Sequence, residues 1–151
     1  MGDEAVEEIQ LVVFSLNDSL YGVDVRQVRE ITPMGQVTPV PGAPYFVDGV
    51  TNLRGQVTTV IDLKKRFGLG EEGGNGKERR MIIVEPKGIP VGMIVDSVTE
   101  VLRLESNAVE GTPDVLESSI DTRYIKGIGK LGDGRLLIIV DLEEILSGEV
   151  M

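Results

Sequence analysis

The chain has no cysteine and no histidine among its 151 residues. It therefore cannot build a Cys/His zinc site or a histidine-based triad, and it has no side chain whose unperturbed pKa lies near 7. It also has no tryptophan, and its three tyrosines and three phenylalanines are few for an enzyme that would stack sugars. Positive charge is in short supply: 15 Lys and Arg face 25 Asp and Glu, a net charge of -10. Such a field repels phosphate backbones and anionic headgroups, so nucleic acid is not an expected partner. The longest unbroken apolar run, Leu136 to Val140, is far shorter than the ~20 residues of a membrane span. The opening MGDEAVEE has no basic and apolar leader pattern, and Val6 stands where a myristoylation signal needs Ser or Thr. The expectation is a cytoplasmic protein without direct membrane insertion.

What the chain does have is a soluble globular profile, 41% hydrophobic and 26% charged, in a length that suits one domain or two small fused ones. It also repeats itself. YGVDVRQVREI (Tyr21 to Ile31) aligns without gaps on VGMIVDSVTEV (Val91 to Val101) at an offset of 70. FVDGVTNL (Phe46 to Leu53) matches YIKGIGKL (Tyr124 to Leu131) at an offset of 78, and GQVTTVIDL (Gly55 to Leu63) matches GRLLIIVDL (Gly134 to Leu142) at 79. Most of the added residues fall in the polar connection SNAVEGTPDVLESSIDT. This pattern predicts two copies of one β-rich unit, approximate halves 9–70 and 78–148, joined by the Gly/Glu-rich stretch GLGEEGGNGKE.

Runs such as QLVVFSL, QVTTVID, RMIIVE and RLLIIVD are short, β-branched and bounded by Gly, Pro, Asn or Asp, as strands are. The expected cores are Val12, Phe14, Val23, Val60 and Ile61 in one half and Ile83, Val95, Leu137, Ile139 and Val140 in the other. Helix is scarce: the best candidate is DLEEILSG, with Asp141 as cap, Glu144 at capping-box spacing and Gly148 as stop, followed by a shorter counterpart, LKKRFG after Asp62, and a single turn at APYFVD.

Two glycine patterns, GIGKLG (Gly127 to Gly132) and GLGEEG (Gly68 to Gly73), satisfy G-x-G-x-x-G but lack a preceding strand with a following helix, so they read as turns and imply no cofactor. Asp62 and Asp141 invite a paired-carboxylate reading, as in a small carboxylate-dependent enzyme. Their equivalent placement between a strand and a helix favours capping instead. Arg54 is harder to place. It sits alone in the turn of GVTNLRGQVTTVIDL, opposite Gly132 in the second copy. A solvated turn arginine is one reading; a planar donor presented to a partner carboxylate is the other. Glu30, repeated as Glu100, could be framework.

At GVTNLRGQVTTVIDL, with YGVDVRQVREI upstream and YIKGIGKLGDGRLLIIVDL downstream, the sequence resembles the CheW family of chemotaxis coupling proteins, from about Leu11 to Leu146. The resemblance implies a mainly-β fold of two small five-stranded, SH3-like β-barrel subdomains packed across an apolar seam, in a single CheW-like domain. It also implies a non-catalytic adaptor or scaffold, with no catalytic residue, cofactor or metal, that joins the histidine kinase CheA, through its CheW-like regulatory domain, to the cytoplasmic tips of methyl-accepting chemoreceptors at membrane-associated arrays. Receptor- or kinase-binding positions carried over are Val28, Glu30, Gly49, Asn52 and Arg54, with Val37, Thr38, Val40 and Pro41 as kinase-facing positions. Val28 is expected as an apolar contact for a receptor helix. Thr58 and Thr59 stand where family members often carry a proline, in what reads as an edge strand. A free-standing CheW-like domain serving another receptor array is the alternative.

Overall fold

The computed structural model describes residues 7–70, 76–111 and 121–147. Its strands are β1 (Glu8–Leu16), β2 (Ser19–Asp24), β3 (Val28–Pro33), β4 (Val47–Leu53) and β5 (Gln56–Asp62), followed by helix α1 (Leu63–Phe67). Then come β6 (Arg80–Val84), β7 (Val91–Val95), β8 (Ser97–Glu105), β9 (Val109–Glu110), β10 (Ile125–Lys130) and β11 (Leu136–Val140), closed by helix α2 (Leu142–Ile145). The expected mainly-β fold with short helices is present. The strands form a six-stranded sheet, β8-β1-β2-β11-β10-β9, and a five-stranded sheet, β3-β6-β7-β5-β4, neither of which pairs its own two edges.

The sheets do not coincide with the sequence repeats. Hairpin β1–β2 of the first repeat lies in the sheet made by the last strands of the second, while hairpin β6–β7 lies among β3, β4 and β5. The exchange is symmetric down to register. Gly22 pairs with Val13 on one side and Ile139 on the other; Gly92, its repeat equivalent, pairs with Ile83 and Val60. Even the bulges recur, skipping Arg29 and its equivalent Thr99, and Asp48 and its equivalent Lys126. Each inserted hairpin makes one parallel pairing, β2 with β11 and β7 with β5. Parallel partners cannot be joined by a tight turn, so the partner strand must come from far along the chain. As a result β5 is an interior strand between β4 and β7, with Thr59 opposite both Val50 and Val91. The expected edge is therefore absent at Thr58 and Thr59, and Thr58 is fully buried.

Exchange also redistributes the core. Leu11, Val13, Leu104, Leu137 and Ile139 fill the six-stranded sheet, and Val60, Met81, Ile83 and Ile94 fill the five-stranded one. A third and larger cluster lies between the sheets, with Val12, Phe14, Val23 and Val140 from one meeting Ile61, Ile82, Met93 and Val95 from the other. The ten residues expected in two cores are all buried, but they are divided among three. Alternation along each strand explains the split: Val12 and Val13 point to opposite faces, one to the seam and one into its own sheet. An aromatic row runs through the seam, Phe14 to Tyr21 at 5.7 Å, Tyr21 to Phe67 at 6.0 Å and Phe67 to Tyr124 at 5.4 Å between ring centroids. Burial there pushes the Tyr21 hydroxyl up to about 12.

The helices are stops at the ends of β5 and β11. The Asp62 carboxylate accepts from the Lys65 amide and the Asp141 carboxylate from the Glu144 amide, each at 3.3 Å, which satisfies donors that a helix start leaves open. Helix α1 spans five residues and α2 four, the reverse of the expected order; Gly68 closes α1 in the left-handed region at φ 76°. Gly148, the stop expected for α2, lies outside the described residues. Arg66 links the two helices, donating to the Ile145 carbonyl at 2.8 Å while its guanidinium lies 4.3 Å over the Phe46 ring.

Phe14 is fully buried and Val57 is 69% exposed. Phe14→Ala should cost about 3 to 5 kcal/mol, and Val57→Ala within about 0.5 kcal/mol of nothing. Urea midpoints of the two variants measure the difference.

Candidate partner-binding surface

Strands β3 and β4 are the two edges of the five-stranded sheet, yet the sheet curls until side chains from both meet. Glu30 on β3 faces Arg54 at the tip of the β4–β5 hairpin. Arg54 Nη1 donates to both carboxylate oxygens, at 3.0 and 2.9 Å, and Nη2 donates to Oε1. This forked contact spans an opening that no backbone ladder closes. The Glu30 side chain is 20% exposed and that of Arg54 65%. In so wet a position the pair contributes ~0 to 1 kcal/mol; its value is directional, because a planar guanidinium on a carboxylate fixes where both groups point.

The turn that presents Arg54 is built for it. Leu53 pairs with Gln56 across a two-residue loop in which Arg54 has φ 51° and Gly55 φ 86°, both positive as a type I′ hairpin requires. Gly55 tolerates this; Arg54 is strained by on the order of 1 kcal/mol. The Asn52 side-chain oxygen accepts from the Gly55 amide at 2.8 Å, so Asn52 holds the turn. The second copy has a longer loop, in which Lys130 pairs with Leu136 around a Leu131–Arg135 closure. Gly132 is thus not a positional counterpart of Arg54, and says nothing about whether the Arg54 turn folds without arginine. Arg54 also meets a carboxylate of its own chain, a pairing that neither expectation included, and stays 65% exposed beside it. Glu100 occupies the repeat-equivalent register on β8, with no such arginine opposite among the described residues.

Gly49 is buried, with φ 148°, and a Cβ there would lie 2.1 Å from the Thr38 carbonyl oxygen. Only glycine lets the segment carrying Val37, Thr38, Val40 and Pro41 lie against β4, where Thr38 and Val50 exchange two backbone hydrogen bonds of 2.8 and 2.9 Å. The Thr51 hydroxyl adds a third tie to the Gln36 carbonyl at 2.6 Å. Val37 packs on the core of the sheet, whereas Thr38, Val40 and Pro41 are exposed. Together Gly35, Gln36, Thr38, Val50, Thr51, Asn52 and Val57 line an open groove beside the Arg54 turn. Val28 lies at the far end of β3, half-buried and packed on the seam. The structure therefore brings Glu30, Asn52 and Arg54 together, makes Gly49 a backbone requirement, and sets Val28 apart. Exposed Ile31 and Val57 were not singled out by sequence. Their exposure follows from strand alternation only once the sheet face is known.

Asp62 and Asp141 are each occupied in capping different helices. GIGKLG lies along β10 and its loop into β11, with no helix following; part of GLGEEG lies outside the described residues. Among the described residues no His/Cys/Asp/Glu group could hold a metal ion, and no helix is long and apolar enough to cross a membrane.

The model of the CheW-like domain matches residues 10–150. The chain belongs to the CheW-like domain family. A chemotaxis protein CheW of Klebsiella aerogenes is 38% identical over 143 residues, 94% of this chain and 84% of the relative. One of Bacillus subtilis is 37% identical over 140 residues, 93% of this chain and 88% of the relative. The crystal structure of the scaffolding protein TtCheW from Thermoanaerobacter tengcongensis superimposes with a TM-score of 0.85 at 39% identity, covering 100% of this chain and 96% of that one. The two-subdomain fold described above is that of the family.

Two substitutions separate the parts of this surface. Gly49→Ala should cost more than about 2 kcal/mol and expose the Thr38 amide to hydrogen exchange, because the added methyl overlaps backbone. Arg54→Gly should be more stable than Arg54→Ala by about 1 kcal/mol, since both lose the fork but only glycine relieves the positive φ. Thermal unfolding of the pair reads this directly.

Proposed function

We propose that the chain is a non-catalytic adaptor that couples the cytoplasmic tips of chemoreceptors to the histidine kinase CheA, recruited from the cytoplasm to receptor arrays. The observation that carries this reading is the match to CheW proteins across nearly the whole chain, joined to a structure-level match with a scaffolding protein. The surface around the Arg54 turn suits such a role. It offers a fixed cation, an open groove and the exposed apolar side chains of Ile31 and Val57, at 39% and 69%, which is the mixture that protein interfaces use.

In this reading Arg54 and Glu30 contact the partner, Asn52 and Gly49 act by holding the turn and the Thr38 segment, and Val28 is a receptor-facing apolar contact at the seam. Thr38, Val40 and Pro41 face the kinase's CheW-like regulatory domain, with Val37 anchoring them from beneath. The alternative, a CheW-like domain serving another receptor array, uses the same surface with different partners. An enzyme built on Asp62 or Asp141 is disfavoured because both carboxylates cap helices. Changing either to Asn should leave coupling largely intact.

The test is a pull-down of the full chain against a CheA regulatory domain and a receptor cytoplasmic fragment, run separately and together. Both complexes are expected; absence of both at micromolar protein defeats the reading. A charge exchange then assigns Arg54. Arg54→Glu alone should weaken binding roughly tenfold to a hundredfold. Combined with Glu30→Arg it should recover stability, because the ion pair reforms reversed, but not affinity, because the partner meets the wrong charge. Unchanged affinity of folded Arg54→Glu for both fragments removes Arg54 from the contact surface.

A further inference from the structure

Between the described elements the chain passes from one sheet to the other at two places. One is the 3-10 turn Val25–Gln27, between β2 and β3; the other is the single residue Asp96, between β7 and β8. Any rotation of one sheet against the other has to turn on these crossings. The repeats make them equivalent, with Arg26 standing where Asp96 stands, and yet they are held differently.

Asp96 is enclosed. Its carboxylate pairs with Lys64 Nζ at 2.9 Å, with both side chains under a tenth exposed, at 8% and 9%. The other carboxylate oxygen accepts from the Asn17 amide at 2.8 Å, and the Asp96 amide donates to the Ser15 carbonyl at 3.1 Å. Lys64 Nζ also donates to the Asn17 side chain at 3.3 Å. Lys64 belongs to α1, at the end of the five-stranded sheet; Ser15 and Asn17 belong to the β1–β2 hairpin of the six-stranded sheet. Asn17 can turn its amide toward Asp96 because it sits at φ 49° in the hairpin turn. One residue is thus bonded to both sheets.

The other crossing is open. Arg26 and Gln27 are exposed, and the Asp24 carboxylate is held by Arg26, two residues on, through the Arg26 amide at 2.9 Å and side-chain contacts of 3.1 and 2.7 Å. These contacts cap a turn; they do not join the sheets. Glu143, the repeat equivalent of Lys64, is exposed as well.

We propose that the Asp96–Lys64–Asn17 cluster is a one-sided lock that fixes the orientation of the two sheets, leaving the Val25–Gln27 crossing as the pliable one. The apolar seam holds the sheets together but is non-directional. A buried ion pair with its hydrogen bonds satisfied is directional, and displacing either partner leaves a buried charge uncompensated. Asymmetry is the decisive point. The six-stranded sheet is built on the same plan with no buried pair at its crossing among the described residues, so the plan itself does not require one.

The test is native-state hydrogen exchange on the full chain by itself, so it stands apart from the partner reading. In the unmodified protein the Asn17 and Asp96 amides should be protected ~100-fold or more beyond the Arg26 amide. Equal or greater protection at Arg26 overturns the proposal. In Lys64→Met/Asp96→Asn, which removes both charges and keeps both shapes, the Asn17 and Asp96 amides should exchange ~10-fold faster while the amides within β1 and β6 hold their rates. Loss of protection spread evenly over both sheets, no change at the crossing, or a chain that no longer folds places the cluster in the general core and overturns it.

Discussion

The constraint on which the rest of this molecule depends is the exchange of hairpins between its two repeats. A parallel strand pair cannot be closed by a tight turn, and each sheet has one at its centre, β2 with β11 and β5 with β7. The five-stranded sheet therefore cannot be completed before β7 of the second repeat has been made, nor the six-stranded sheet before β11, the last strand of all. Two consequences follow. Folding is dominated by contacts between distant parts of the chain, the topology that folds slowly. The seam is also covalently committed, because pulling the sheets apart means drawing strands of the same repeat in opposite directions.

That exchange marks the limit of what the sequence could show. Matching Tyr21 to Ile31 with Val91 to Val101 makes two units visible, and the bulges at Arg29 and Thr99 confirm the pairing residue by residue. The match says nothing about which copy of a hairpin enters which sheet, because two equivalent units offer each hairpin two equivalent berths, as in domain swapping. Burial is a property of a residue and was legible. Membership of a core belongs to the assembly, which is why Val12 and Phe14 parted from Val60, and Leu137 and Ile139 from Val140.

The surface around Arg54 shows the same division. NLRG announces a hairpin turn, and the positive φ of both Arg54 and Gly55 bears this out. The carboxylate opposite is 24 residues away on the far edge of the sheet, and the two meet only because the sheet curls. Sequence offered one misleading signal, the alignment of Arg54 with Gly132. A loop with an extra residue breaks the correspondence between the copies at that turn. Family motifs located Gly49 without its reason, which lies in the carbonyl of Thr38, eleven positions before it and packed where a methyl would stand.

Duplication leaves each sheet with a similar outer surface, and the likeness extends to exposed side chains. Ile31 and Val101 are repeat equivalents, 39% and 54% exposed, as are Val57 and Leu136, at 69% and 55%. Two like apolar surfaces on one chain would bind like partners unless something sets them apart, and discrimination of that kind is made by a few polar differences. Those differences are present. Glu30 has Arg54 opposite while Glu100 has no arginine opposite among the described residues; Asp96 is buried against Lys64 while Arg26 turns outward to Asp24. For a molecule proposed to hold two different partners at once, the useful product of duplication is the common frame, and the specificity lies in the small set of positions where the copies have ceased to agree.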